Sequence, residues 1–80
     1  MKTILIVDDE EKIREVIASY LQNEGYATFQ SGTGNNTLEL VRGENVDLLI
    51  LDLMLPDMTG EDVCRAIRQF SPVPVIMLTA

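Results

Sequence analysis

The chain has no histidine, no tryptophan, a single cysteine, and six basic residues against thirteen acidic ones. Each shortage removes a class of function. Without histidine, the commonest general base and metal ligand near neutral pH is missing. One cysteine, Cys64, allows no internal disulfide and no zinc-ligand pattern. A formal net charge of −7 argues against gripping nucleic acid or an anionic membrane by charge. No apolar run approaches the roughly 20 residues of a membrane-spanning helix. Met1-Lys2 lead straight into an apolar segment, so no signal peptide is expected, and a soluble cytoplasmic protein is the default reading. The loop Ser31-Gly32-Thr33-Gly34 lacks the lysine and the spacing of a phosphate-binding P-loop.

What remains is a foldable composition, 46% hydrophobic and 24% charged over 80 residues, which bounds the chain to one domain with a small core. Thr3 to Val7 reads as a first strand, Tyr26 to Gln30 as a second near an edge, Val46 to Leu51 as a third and Val75 to Leu78 as a fourth. Between them, Glu11 to Asn23 carries Ile13, Val16, Ile17, Tyr20 and Leu21 at helical spacing, with Gly25 as its stop. A weaker helix holds Leu38, Leu40 and Val41 and ends at Gly43. A third opens at Thr59, where Thr59-Gly60-Glu61-Asp62 fits a loose capping box, and aligns Val63, Ala66, Ile67 and Phe70 on an inward face. Pro56 excludes the segment after the third strand from any central strand.

The order β-α-β-α-β-α-β predicts an α/β fold, a parallel sheet with right-handed crossovers and helices on both faces. A flavodoxin-like strand order 2-1-3-4 makes strands 1 and 3 neighbours at the switch point, where ligands bind beyond the strand carboxyl ends. There the sequence places acids. Asp8 and Asp9 close Ile4-Leu5-Ile6-Val7, and Asp52 closes Leu48-Leu49-Ile50-Leu51. Buried strands cannot hold unpaired carboxylates, so the acids belong at the tips. Converging on one crevice they repel one another, and a divalent cation removes the conflict. Taken singly, Asp8-Asp9 reads as a pair of helix-capping acids, Asp52 as a solvated loop acid and Thr79 as an ordinary strand-end hydroxyl. Jointly they point to a Mg²⁺ site that welcomes a phosphate oxygen.

Three segments carry a resemblance: Ile4-Leu5-Ile6-Val7-Asp8-Asp9-Glu10, Leu48 through Asp52-Leu53-Met54-Leu55-Pro56-Asp57-Met58-Thr59-Gly60, and Pro74-Val75-Ile76-Met77-Leu78-Thr79-Ala80. In type, order and spacing the chain resembles, over residues 1–80, the receiver domain of bacterial two-component response regulators. The resemblance implies that Asp52 accepts a phosphoryl group from the phosphohistidine of a sensor histidine kinase. It implies Mg²⁺ held by Asp8, Asp9, Asp52 and the backbone carbonyl of Met54, with Thr79 as the hydroxyl that senses the phosphoryl group. The flanking residues look most like the transcription-factor subfamily with a winged-helix output domain, through which alone DNA would be bound.

The family's domain continues through a further helix, a fifth strand and a final helix, which carry a phosphoryl-pairing lysine and an aromatic switch residue. The expectation is therefore a receiver domain truncated after strand 4, with impaired phosphotransfer, since Lys2 and Lys12 are badly placed to substitute. With an apolar edge from Val73 to Leu78, the chain is expected to associate, by edge pairing or exchange of elements, or to be only partly folded. Of three rivals, two fail on particular residues, and the third, a receiver-like module that takes no phosphate, stays open for the truncated chain. A flavin- or nucleotide-binding domain needs a glycine- or hydroxyl-rich loop after strand 1, where this chain has Asp8-Asp9-Glu10-Glu11. An aspartate-nucleophile phosphohydrolase commonly has a second acid where Met54 stands. A receiver-like module that no longer takes phosphate would not need the three acids intact.

Overall fold

The computed structural model describes residues 1–78; Thr79 and Ala80, and with them the expectation for the Thr79 hydroxyl, lie outside the described residues. Four parallel strands, β1 (Thr3–Val7), β2 (Ala27–Ser31), β3 (Leu48–Asp52) and β4 (Val75–Leu78), form one sheet in the order β2-β1-β3-β4. The crossovers carry α1 (Glu11–Asn23), α2 (Gly34–Gly43) and α3 (Gly60–Ile67). The parallel α/β sheet is the one expected from the alternation of apolar runs and helical patterns, and its order is the flavodoxin-like one.

Aliphatic runs become central strands because both of their faces find cover. Leu5, Val7, Leu49 and Leu51 point into one cluster with Val41, Leu55, Val63, Ile67 and Val73, beneath α2 and α3. Ile4 and Ile6 point the other way, against Ala18, with Ile17, Leu21, Leu48 and Ile50 around them. Full burial of a Leu or Ile side chain contributes about 1.5–3 kcal/mol, so β1, covered on both faces, and β3, buried on one face and partly covered on the other, anchor the fold.

Local signals explain the element ends. Gly25 has φ +95°, the left-handed conformation that glycine takes without penalty. Its N–H reaches the Gln22 carbonyl while that of Tyr26 reaches Leu21, both at 3.0 Å, which closes α1 in a Schellman motif. Thr59 caps α3 as expected, its hydroxyl accepting from the Asp62 N–H at 3.0 Å. Some expectations shift. β2 and β3 begin later than the sequence suggested, at Ala27 and Leu48. In α1 the buried contact is made by Ala18 with Ile17 and Leu21, whereas Val16 and Tyr20 are 70% and 66% exposed. The apolar arc of α1 is wider than the single sheet face it rests on, and its outer half stays in water. Phe70 follows α3 rather than lying within it, and Arg42 of α2 stacks over its ring at 4.5 Å. Val73 is buried, so the exposed part of the fourth-strand segment is narrower than expected. No helix among the described residues is long and apolar enough to cross a membrane.

Candidate functional site: an acidic cluster at the strand tips

Parallel register puts the acids together. Val7 pairs with Leu51, and Asp52 in turn pairs with Leu78, so β1 and β3 end level at the same rim of the sheet. Carboxylate oxygens of Asp8, Asp9 and Asp52 lie within 4.8 Å of one another. Asp8 is buried, Asp52 is half-buried and Asp9 is exposed, so exposure to solvent is graded across the cluster. The sequence placed all three correctly.

The buried member is the most firmly held. Its backbone N–H extends the ladder to the Ser31 carbonyl at 3.1 Å, and its Oδ1 accepts from the Glu10 N–H at 2.9 Å. That second bond sets the turn into α1, where Glu10 is the N-cap but contributes no side-chain bond of its own. Arg14, from the first turn of α1, donates through Nη1 to the Asp8 carbonyl at 2.7 Å and through Nε to Gln30 Oε1 at 3.2 Å. It thereby ties the Asp8–Asp9 turn to β2.

β3 delivers Asp52, and the segment after it folds back as a tight loop. The Gly60 N–H bonds the Leu53 carbonyl at 2.6 Å and the Leu55 N–H bonds the Met58 carbonyl at 3.0 Å. These bonds make the isolated bridge between Met54 and Thr59 while leaving the Met54 carbonyl itself out of the pairing. Gly60 is required at the root of this loop, because a Cβ there would meet the Asp52 carbonyl oxygen at 2.6 Å and the Leu53 Cα at 3.1 Å. Helix α3 can start this close to the acid only on a glycine.

The cluster fits a hard divalent cation. All of its donors are oxygens, and among the described residues the one ion pair joins Arg65 to Asp62. Among the described residues no cationic side chain forms an ion pair with any of the three acids. Three oxygen donors within 4.8 Å of one another suit Mg²⁺, which keeps several waters and can take an acid through one of them.

Two residues of the surroundings carried no expectation from sequence. One is Arg14. The other is Asp57, at the tip of the loop after β3, whose Oδ1 accepts from the Gly34 N–H at 2.7 Å and Oδ2 from the Asn35 N–H at 2.9 Å. The position of Arg14 one turn into the helix behind Asp8-Asp9 was a usable signal. Asp57 acts across 22 to 23 residues and left none. Cys64, by contrast, behaves as a packing residue: it sits at the margin of the larger core, and burial raises its thiol pKa.

Comparison with known proteins identifies the family. Residues 4–80 match the family model for the response regulator receiver domain. The DNA-binding response regulator MtrA of Mycobacterium tuberculosis is 48% identical over 77 residues, covering 96% of this chain but 34% of the relative. The chain thus spans about a third of the length of the curated relatives it matches. The receiver domain of the Francisella response regulator 1452 superposes with a TM-score of 0.95 at 30% identity, covering all of this chain and 67% of that one. TrrA of Thermotoga maritima, in complex with Mg²⁺-BeF, gives 0.87 at 38% identity, covering 96% and 66%. A chain in the complex of the histidine kinase ThkA with TrrA gives 0.92 at 41%, covering 100% and 70%. With its strand order, its three acids and these matches, the chain belongs to the response regulator receiver domain family.

Proposed function

We propose that residues 1–80 are the amino-terminal receiver part of a longer regulator and that Asp52 is its phosphoacceptor. The observation that carries this reading is the meeting of three carboxylates at the tips of adjacent parallel strands, with Asp52 half-exposed. The donor is the phosphohistidine of a sensor histidine kinase. An Asp52 carboxylate oxygen forms the new bond to phosphorus as the N–P bond breaks; the electron pair stays on the imidazole nitrogen, which takes a proton from solvent water. A carboxylate suffices as nucleophile because the donor already carries a good leaving group. The domain is a regulatory phosphoacceptor that assists its own phosphorylation, not an enzyme with turnover.

Asp8, Asp9 and Asp52, with the Met54 backbone carbonyl, would hold Mg²⁺. When bound, the ion neutralises charge on the transferred phosphoryl oxygens, which is most of what phosphoryl transfer asks of a protein beyond in-line positioning. Asp8 is fixed by the Glu10 N–H and Arg14, so it presents its carboxylate without reorganising. Thr79, the residue after Leu78 in the sequence, would supply the hydroxyl that answers the phosphoryl group. The relatives' description as DNA-binding response regulators supports a cytoplasmic transcriptional regulator, with DNA held by an output domain outside these residues. Alone, residues 1–80 self-associate through β4. The reading is tested by intact-mass measurement of the full-length protein after incubation with Mg²⁺ and acetyl phosphate. One phosphoryl group is expected on the native chain and none on Asp52→Asn; equal labelling of both would overturn the assignment.

A further inference from the structure

The amino end of α2 is satisfied in an unusual way. A helix leaves its first N–H groups without intrahelical partners, and a local side chain normally takes one or two of them. Here Thr33 Oγ1 takes the Asn36 N–H at 3.1 Å, the local cap. The Gly34 and Asn35 N–H groups are taken by Asp57, which belongs to the loop after β3. A second contact joins the same two segments. Met58 lies so close over Gly34 that an added Cβ would stand 2.6 Å from its Sδ and 2.9 Å from its Cβ. The loop tip is thus bonded and packed onto α2, while the two backbone bonds at Leu53–Gly60 and Leu55–Met58 close its base around Met54.

We propose that Asp57 is a positioning residue of the phosphoacceptor centre: it clamps the loop tip to α2 and so fixes the Met54 carbonyl at the loop's base. The proposal rests on the Mg²⁺ site put forward above. Beyond the two backbone bonds at its base and the Met58 contact, the loop tip has few constraints, since Met54, Pro56 and Asp57 are exposed and only Leu55 of the segment Leu53–Thr59 is buried. Charge-assisted bonds to two successive N–H groups from one carboxylate fix both position and orientation, which a single neutral bond does not. Partners just outside a metal's ligand set typically govern its affinity by this kind of orientation.

The control is built into the same helix. Thr33→Ala removes a cap from α2 without touching the loop, whereas Asp57→Ala removes caps and frees the loop. Mg²⁺ titrations of the full-length protein by calorimetry, with hydrogen exchange of the α2 amides in parallel, separate the two roles. Asp57→Ala is expected to weaken Mg²⁺ binding about tenfold, and Asp57→Asn, which keeps one acceptor, to fall between it and the native chain. Thr33→Ala should loosen α2 yet leave Mg²⁺ affinity within about twofold, the margin expected where no outer-shell partner is lost. Native affinity in Asp57→Ala, or equal weakening in Thr33→Ala, would show that Asp57 is a helix cap and nothing more. A native chain that binds no Mg²⁺ would instead remove the site on which the proposal rests.

Discussion

Asp57 and Gly60 show how much of the site is held by residues that do no chemistry. Hydrogen bonds from the Gly34 N–H first, and then from Asn35, favour the charged Asp57 carboxylate and lower its pKa from the usual 3.8. A group depressed in the folded state adds stability above its unfolded pKa, and that contribution is lost as pH falls through the lower, folded value. The clamp is therefore complete at neutral pH and opens only in acid stronger than an ordinary aspartate requires. In NMR titrations the Gly34 and Asn35 amide signals should hold steady down to about pH 4 and move below it; a midpoint above that value would contradict the bonding described. Gly60 answers to sterics instead. Gly60→Ala drives a Cβ into backbone atoms of Asp52 and Leu53, and thermal or denaturant unfolding should record a loss of about 1–3 kcal/mol. Gly43→Ala meets nothing within 4 Å at the end of α2 and should be neutral or stabilising by about 0.5 kcal/mol. Equal effects at the two glycines would mean that Gly60 is not sterically required.

At the scale of elements, the most legible parts were those whose determinants are local. Uninterrupted aliphatic runs marked β1, β3 and β4, and the Gly25 stop and Thr59 cap fixed helix ends within a few residues of the signal. The three acids were legible for the same reason, since a carboxylate that ends a buried run must sit at its tip. What sequence misplaced depends on the neighbour. The apolar residues of α1 span more arc than one sheet face covers, and the small Ala18 makes the close approach while Val16 and Tyr20 stay outside. The later start of β3 has a similar origin: the Asp47 carboxylate accepts from the Thr3 N–H at 2.8 Å, so the chain is tied to β1 before the strand begins. The Asp57 clamp joins loops distant in sequence, and no periodicity reports that.

For the whole molecule, the two sheet faces differ in cover. α2 and α3 close one side around nine buried residues, while α1 alone lies on the other. Leu48 and Ile50 are only partly buried there, and Ile76, which pairs with Ile50, is 51% exposed. Among the described residues β4 pairs with β3 alone, so an apolar strip and a free strand edge lie side by side. Sedimentation of residues 1–80 by themselves should show dimers or larger species that lessen when Ile76 is replaced by lysine. A compact monomer that unfolds cooperatively at all concentrations would sink the proposed self-association. The central claim is narrower: three strand-tip acids divide into cation holders and one acceptor. Peptide mapping of the full-length protein, after acetyl phosphate treatment and reductive trapping of acyl phosphate, tests it directly. The label should fall on Asp52 alone and vanish when divalent cations are chelated; a label on Asp8 or Asp9, or one formed equally well without a cation, would contradict it.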